Sequence, residues 1–281
     1  MKIGYHFSTF YKEEIETWLI SHNIKYETSD GVFFQRCLYF TIWSTTNNCD
    51  ALLKELHNMA RLRPSACAYY SPKDLSVAPL LEIRPKSLKM CIENIDESFR
   101  YDCQWSHMAD RFEIHKAYHK EQIGTIMITK EPSVTTKTVF WGPDDGGAII
   151  FADKKVVDLA LQENLKGILF QDVLLKNRKP SERIFQMLAE DIVQQGDIAW
   201  GKGEKEEVCR MCGKKQYALS NTYQLHLYDD PVYREKDFFS TERIFGEGIA
   251  QPIYIISQRF YQLLKQNKFT AQVNFVPVVL E

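Results

Sequence analysis

Two stretches of the chain, 104 residues apart, carry one pattern. Residues 148–151 form an apolar run leading to Asp153, followed by KKVVDLALQENL and then GILFQDVLL. Residues 253–256 form an apolar run leading to Ser257, followed by QRFYQLLKQNKF and then AQVNFVPVVL. The shift places Asp153 on Ser257, Val156 on Phe260, Leu159 on Leu263, Ala160 on Leu264 and Leu165 on Phe269. Asp and Ser are both good N-caps, because their oxygens accept the free amides of a first helical turn. The apolar spacing that follows lies on one helical face. Each copy therefore reads as strand, capped helix, strand. The expectation is two related docking layers of one sheet.

The first ninety residues parse in a different order. Residues 2–7 alternate as a short strand, and Thr9 is placed to cap a helix reaching about residue 22. Residues 23–27 read as a strand, 29–31 as a turn and 32–44, rich in β-branched and aromatic residues, as a long strand. Asn47, Asn48 or Asp50 caps a helix bearing Leu52, Leu53, Leu56 and Met59, and residues 79–91 read as the closing strand. The order β-α-β-β-α-β predicts a ferredoxin-like unit. Residues 93–122, polar and aromatic, read as a connector. Beyond it, 124–129 and 134–141 read as a strand pair, and 180–194 as a helix capped by Ser181 with Ile184, Met187, Leu188 and Ile192 inward. The expected fold is α+β: a ferredoxin-like domain at 1–92, a connector at 93–122, and an α/β domain with the internal repeat at 123–281.

Composition narrows the function. With 44% apolar and 26% charged residues, the bulk of the chain is not intrinsically disordered. Thirty-five Lys and Arg against 37 Asp and Glu leave a net charge of -2, without the basic excess of a nucleic-acid binder. No apolar run approaches the roughly 20 residues of a membrane-spanning helix. The N-terminus shows no apolar h-region of a secretory signal. Seven scattered cysteines, an odd number, do not make a disulfide framework. A cytoplasmic protein with reduced thiols is expected, with no nucleic-acid or membrane partner; the oligomeric state is open.

Candidate chemistry is sparse. Cys209-Arg-Met-Cys212-Gly213 has the spacing of a zinc knuckle: two intervening residues let both sulfurs face one ion, and the glycine permits the tight turn. Lys214 and Lys215 would lower the thiol pKa. A structural zinc needs four ligands, no second CxxC exists, and only Cys91, Cys103, His107 and His226 could complete the site. The alternative is a β-turn knuckle without metal, so the cofactor expectation is none, with zinc as the exception. His115 and His119, like Cys103 and His107, stand at i, i+4, but packing or solvated histidines explain them as well. Asp144 and Asp145 are paired carboxylates able to do acid–base work, yet a hairpin turn between Pro143 and Gly146-Gly147 also accounts for them. No GxSxG, P-loop or dinucleotide fingerprint occurs. Three acidic segments could meet a basic partner: Asp144-Asp145, Glu204 with Glu206-Glu207, and Asp229-Asp230.

Residues 236–248, KDFFSTERIFGEG, lead into PIYIISQRFYQLL and a last strand ending in Pro-Val. This run resembles the C-terminal signature of bacterial immunity proteins of polymorphic-toxin systems, the double-CxxCG group and its relatives. The residues that carry it are Asp237, Phe238, Ser240, Phe245, Gly246, Ser257, Phe260, Leu263, Leu264, Phe275, Pro277 and Val278, with Cys209, Cys212 and Gly213 as one of that group's two knuckles. The resemblance implies a cytoplasmic antitoxin that binds and neutralises a cognate toxin by protein–protein occlusion, and not an enzyme. An enzyme acting through Asp144 and Asp145 or the histidines, or a zinc-dependent structural or regulatory module, are the alternatives.

Overall fold

In a computed structural model the chain is mixed α and β and divides into two compact units, Met1–Pro72 with Ser220–Tyr223, and Lys73–Leu219 with Gln224–Glu281. The structure describes all residues except 31–35, 63–64, 88–89, 102–116, 119, 133–137, 143–148, 201–204, 209–212, 214, 219–222, 246–247, 250 and 272.

The first unit runs β1 (Lys2–Phe10), α1 (Glu13–Ser21), β2 (Tyr26–Asp30), β3 (Arg36–Trp43), α2 (Cys49–Ala60) and β4 (Ser65–Tyr69). Its four strands lie in the order β2-β3-β1-β4, all neighbours antiparallel. Phe7, Leu38, Phe40 and Ile42 face Ile15, Leu19, Leu52 and Leu56 of the two helices in one core. Thr9 does not cap α1. It pairs with Leu38 in the sheet, so strand pairing carries the chain past it and the helix starts after Lys12. The closing strand is β4, not residues 79–91. The unit therefore ends near residue 72, and the boundary expected at 92 moves accordingly.

Next come α3 (Pro72–Val77), β5 (Leu80–Pro85), α4 (Ile95–Ser98), β6 (Phe99–Tyr101), β7 (Ala117–Tyr118), β8 (Lys120–Gln122), β9 (Met127–Ile128) and β10 (Val139–Trp141). They are followed by β11 (Ile150–Asp153), α5 (Lys154–Gln162), β12 (Ile168–Leu175), β13 (Pro180–Ala189), β14 (Ile192–Val193), β15 (Lys205–Val208) and β16 (Lys215–Ala218). The chain closes with β17 (His226–Leu227), α6 (Pro231–Arg234), β18 (Phe238–Thr241), β19 (Gly248–Ile249), β20 (Tyr254–Ser257), α7 (Gln258–Gln266) and β21 (Val273–Leu280).

The repeat is present, but in two sheets rather than one. A five-stranded sheet has the order β10-β11-β13-β12-β9, and a six-stranded sheet contains β18-β20-β5-β21-β17, with β14 beside β18. Read in that order, both have the same senses: three antiparallel pairings and then a parallel one. In each, the strands before and after the helix flank one antiparallel strand. In the first copy that middle strand is β13, which follows. In the second it is β5, taken from upstream of both copies, so the second copy is circularly permuted.

Correspondence reaches single residues. Asp153 Oδ1 accepts the Lys155 amide at 3.1 Å, and Ser257 Oγ accepts the Phe260 amide at 3.0 Å. Asn164 (φ 49°) and Lys268 (φ 60°) turn the chain back after each helix. Leu165 donates its amide to Ala160 O, and Phe269 to Leu264 O. Val156 and Ala160 of α5 and Phe260 and Leu264 of α7 enter one core between the sheets, with Leu81, Ile83, Val139, Ile150, Phe238 and Phe275.

Two expectations fail for one reason. Residues 180–189 are a strand, not a helix, and β9 and β10 lie at opposite edges of their sheet instead of pairing with each other. β13 sits mid-sheet with both faces covered: Met187 points into the shared core and Ile184 into a second one with Phe140, Phe151 and Val173. A strand buried on both faces loses its period-two alternation, and the apolar residues of β13 then imitate a helical spacing. Ser181 caps nothing helical; its Oγ accepts the amides of Arg183 and Ile184 and donates to Glu131.

Candidate functional site

Most of the residues singled out in the sequence have no described placement. Asp144, Asp145, Cys209 and Cys212 lie outside the described residues, as do Cys103, His107, His115 and His119. The strands on either side of the knuckle are described: β15 and β16 form an antiparallel hairpin, with Val208 opposite Lys215, and Gly213 has φ 72°. A positive φ is where glycine is favoured. Among the described residues, no group of three or more His, Cys, Asp and Glu side chains is placed to hold a metal ion.

Among the described acidic candidates, Glu206, Asp229 and Asp230 are occupied within the fold. Glu206 accepts the Tyr217 hydroxyl at 2.8 Å and pairs with Lys215 Nζ at 3.0 Å. The Tyr217 hydrogen bond first, and Lys215 second, hold its carboxyl below the ordinary carboxylate value. Tyr217 is itself fixed, stacked on Trp200 at 3.6 Å and hydrogen-bonded by Gln195 Nε2 at 2.5 Å. Glu207 stands opposite the buried Gln216 in the hairpin register. Asp229 accepts Arg234 Nε at 2.9 Å, and Asp230 caps α6 by accepting the Val232 amide at 2.8 Å. The carboxylates of Glu206, Asp229 and Asp230 brace a hairpin and a helix turn.

The residues that carry the family resemblance build the fold. Phe238, Phe260, Leu264 and Phe275 belong to the shared core. Asp237, 5% exposed, accepts Ser257 Oγ at 2.7 Å, the Lys166 amide at 3.0 Å and Arg259 Nη1 at 3.2 Å. The described part of the signature is thus a packing and capping signature.

The second unit offers a cleft of about 970 Å³. Its lining includes Gln122, Thr125, Gln171 and Leu188, and also Ser240 and Thr241 of β18, Glu242 and Arg243 just after it, and Tyr254 of β20. Ile123 and Ile192, 59% and 55% exposed, are exposed large apolar side chains in its lining. Its walls are held from within. Gln122 and Gln186 exchange both amide hydrogen bonds, at 2.9 and 2.7 Å, and Thr241 Oγ1 accepts the Ile253 amide at 2.9 Å. Burial pushes the Tyr254 hydroxyl up to about 12. Side-chain amides and hydroxyls both donate and accept, and Glu121, Glu242, Lys215 and Arg243 add charges of both signs to the lining. Nothing in the sequence marked this cleft, because its walls come from strands far apart in the chain.

Comparison with protein-family models, with curated proteins and with solved structures finds no match for the chain. No helix among the described residues is long and apolar enough to cross a membrane.

Proposed function

We propose that this chain is an immunity-type protein that binds a toxin domain and blocks it by occlusion, with a segment of the toxin seated in the cleft of the second unit. The observation that carries the reading is the cleft: its size, its lining of amides, hydroxyls and charges of both signs, and its exposed isoleucines match what an inserted peptide segment needs. The resemblance of the C-terminal half of the chain to immunity proteins supports seeking the toxin contact on this unit. Occlusion needs a complementary surface with a few buried anchors and no reaction centre.

The test uses the toxin encoded beside this chain's own gene. Ile123→Glu and Ile192→Glu put a charge on each exposed isoleucine without touching the core. Each is expected to lose protection of toxin-expressing cells and to raise the toxin dissociation rate at unchanged melting temperature. Protection that survives both changes excludes the cleft. A neighbouring toxin that the wild-type chain does not bind excludes the immunity reading.

A further inference from the structure

β12 has an open outer edge beside the cleft. It pairs with β13 from Ile168 to Asp172, and its other side meets β9 only at Leu174 and Leu175. In an antiparallel ladder, residues alternate between exchanging both backbone bonds with their partner and turning those groups away. The Glu190 amide donates to Gly167 O, which makes Gly167, Leu169 and Gln171 the bonded residues. Ile168, Phe170 and Asp172 therefore turn their N–H and C=O groups away from β13. Past the register shift, the Leu174 amide donates to Ile126 O at 2.9 Å on that outer side. Among the described residues, no backbone partner meets the outward groups of Ile168, Phe170 and Asp172.

Native proteins shield an unpaired strand edge with lysine, proline or a covering loop. The run ILFQD carries neither lysine nor proline, and Asp172 is its one charge. Leu169 is 49% exposed, and Asp172 is exposed as well. Gln171 between them lines the cleft. Donors and acceptors alternating at strand spacing fit one kind of occupant, an extended backbone; a side chain or a small ion does not satisfy the row. Five paired residues span roughly 17 Å, too little surface to hold two copies of this chain together. A partner that also fills the cleft buries more.

We infer that the toxin segment enters the cleft in extended form and adds to β12 as a further strand, bonded main chain to main chain at Ile168, Phe170 and Asp172. This rests on the immunity reading above and states how that site holds its partner. Main-chain pairing supplies affinity, and the side chains beside it supply choice. Alternate side chains of the added strand lie next to Leu169 and Gln171, on the face that carries the cleft lining, and they set which segment is accepted.

The test is amide hydrogen exchange by NMR on the full chain, free and with the toxin domain encoded beside its gene. In the free chain the amides of Ile168, Phe170 and Asp172 should exchange faster than those of Leu169 and Gln171, which are bonded to β13. In the complex they should slow to match them. Asp172→Pro removes one outward N–H without cutting a bond to β13, a change that a strand edge tolerates. It should weaken toxin binding about 5-fold or more, the loss of one main-chain bond. Asp172→Ala keeps the N–H and should bind as wild type. Circular dichroism checks that both variants are folded, and the exchange result on the wild-type chain decides by itself if the proline variant is not. Slow exchange of all five amides in the free chain overturns the proposal. So does a complex that leaves the three outward amides fast, or an equal loss of binding in the two Asp172 variants; each leaves the cleft reading standing. A toxin domain that does not bind the wild-type chain overturns both.

Discussion

Ser257 Oγ donates to Asp237 Oδ1 at 2.7 Å while accepting the Phe260 amide at 3.0 Å, so one hydroxyl caps α7 and ties it to the start of β18. Asp237 is buried and accepts two further donors, the Lys166 amide and Arg259. Removing it leaves buried donors unpaired. Asp237→Ala is expected to destabilise the chain by about 2–4 kcal/mol, and Ser257→Ala by about 1–2 kcal/mol, in urea unfolding. The two changes share a partner, so the double variant should lose less than their sum. Strict additivity would show that the pair is not coupled.

Gly167 stands at φ 80°, and a Cβ there would meet Phe238 O at 2.3 Å. Lys166 O beside it accepts the amides of Asp237 and Phe238, so backbone approaches backbone where one copy is stitched to the other. Gly167→Ala combines a disfavoured φ with a backbone clash and should cost more than the roughly 1 kcal/mol of a left-handed alanine alone. Gly196→Ala, where nothing lies within 4 Å, is the matched control and should be near neutral. Equal melting temperatures for the two variants would refute the close approach.

Leu264 and Ala160 occupy equivalent places on α7 and α5 and share one core. Leu264→Ala should cost about 2–5 kcal/mol by cavity formation. Because the core is common, amide exchange should accelerate in α5 as well as in α7. Acceleration confined to α7 and β21 would mean that the two copies open independently.

Tyr254 has its hydroxyl raised from 10.0 to about 12, chiefly by burial. Its folded-state pKa lies above the unfolded value. Its contribution to stability is therefore complete below pH 10 and is lost as the pH rises towards 12. Tyr254→Phe should unfold less steeply with pH across that alkaline window. Identical pH–stability curves for the two proteins there would show that Tyr254 ionises freely in the folded chain.

What the sequence determined by itself is local. Asp153 and Ser257 cap their helices because a side-chain oxygen one residue before a helical run satisfies free amides wherever that run is placed. The spacing that brings Phe260 and Leu264 inward is likewise a property of one segment, and the α+β class follows from such segments in order. Pairing between distant segments was not legible. β5 reads as a strand in isolation, and only the tertiary structure sends it to the middle of the second copy, between β20 and β21. β13 was misread because burial on both faces erased the alternation by which strands are recognised. The cleft is a product of the same long-range pairing. Phe10, Tyr39 and Tyr69 come to one side of the first unit's sheet only when β1, β3 and β4 are in register. Which residues share a face depends on which strands are neighbours, and that is decided by the burial of the whole core, not by any one stretch of chain.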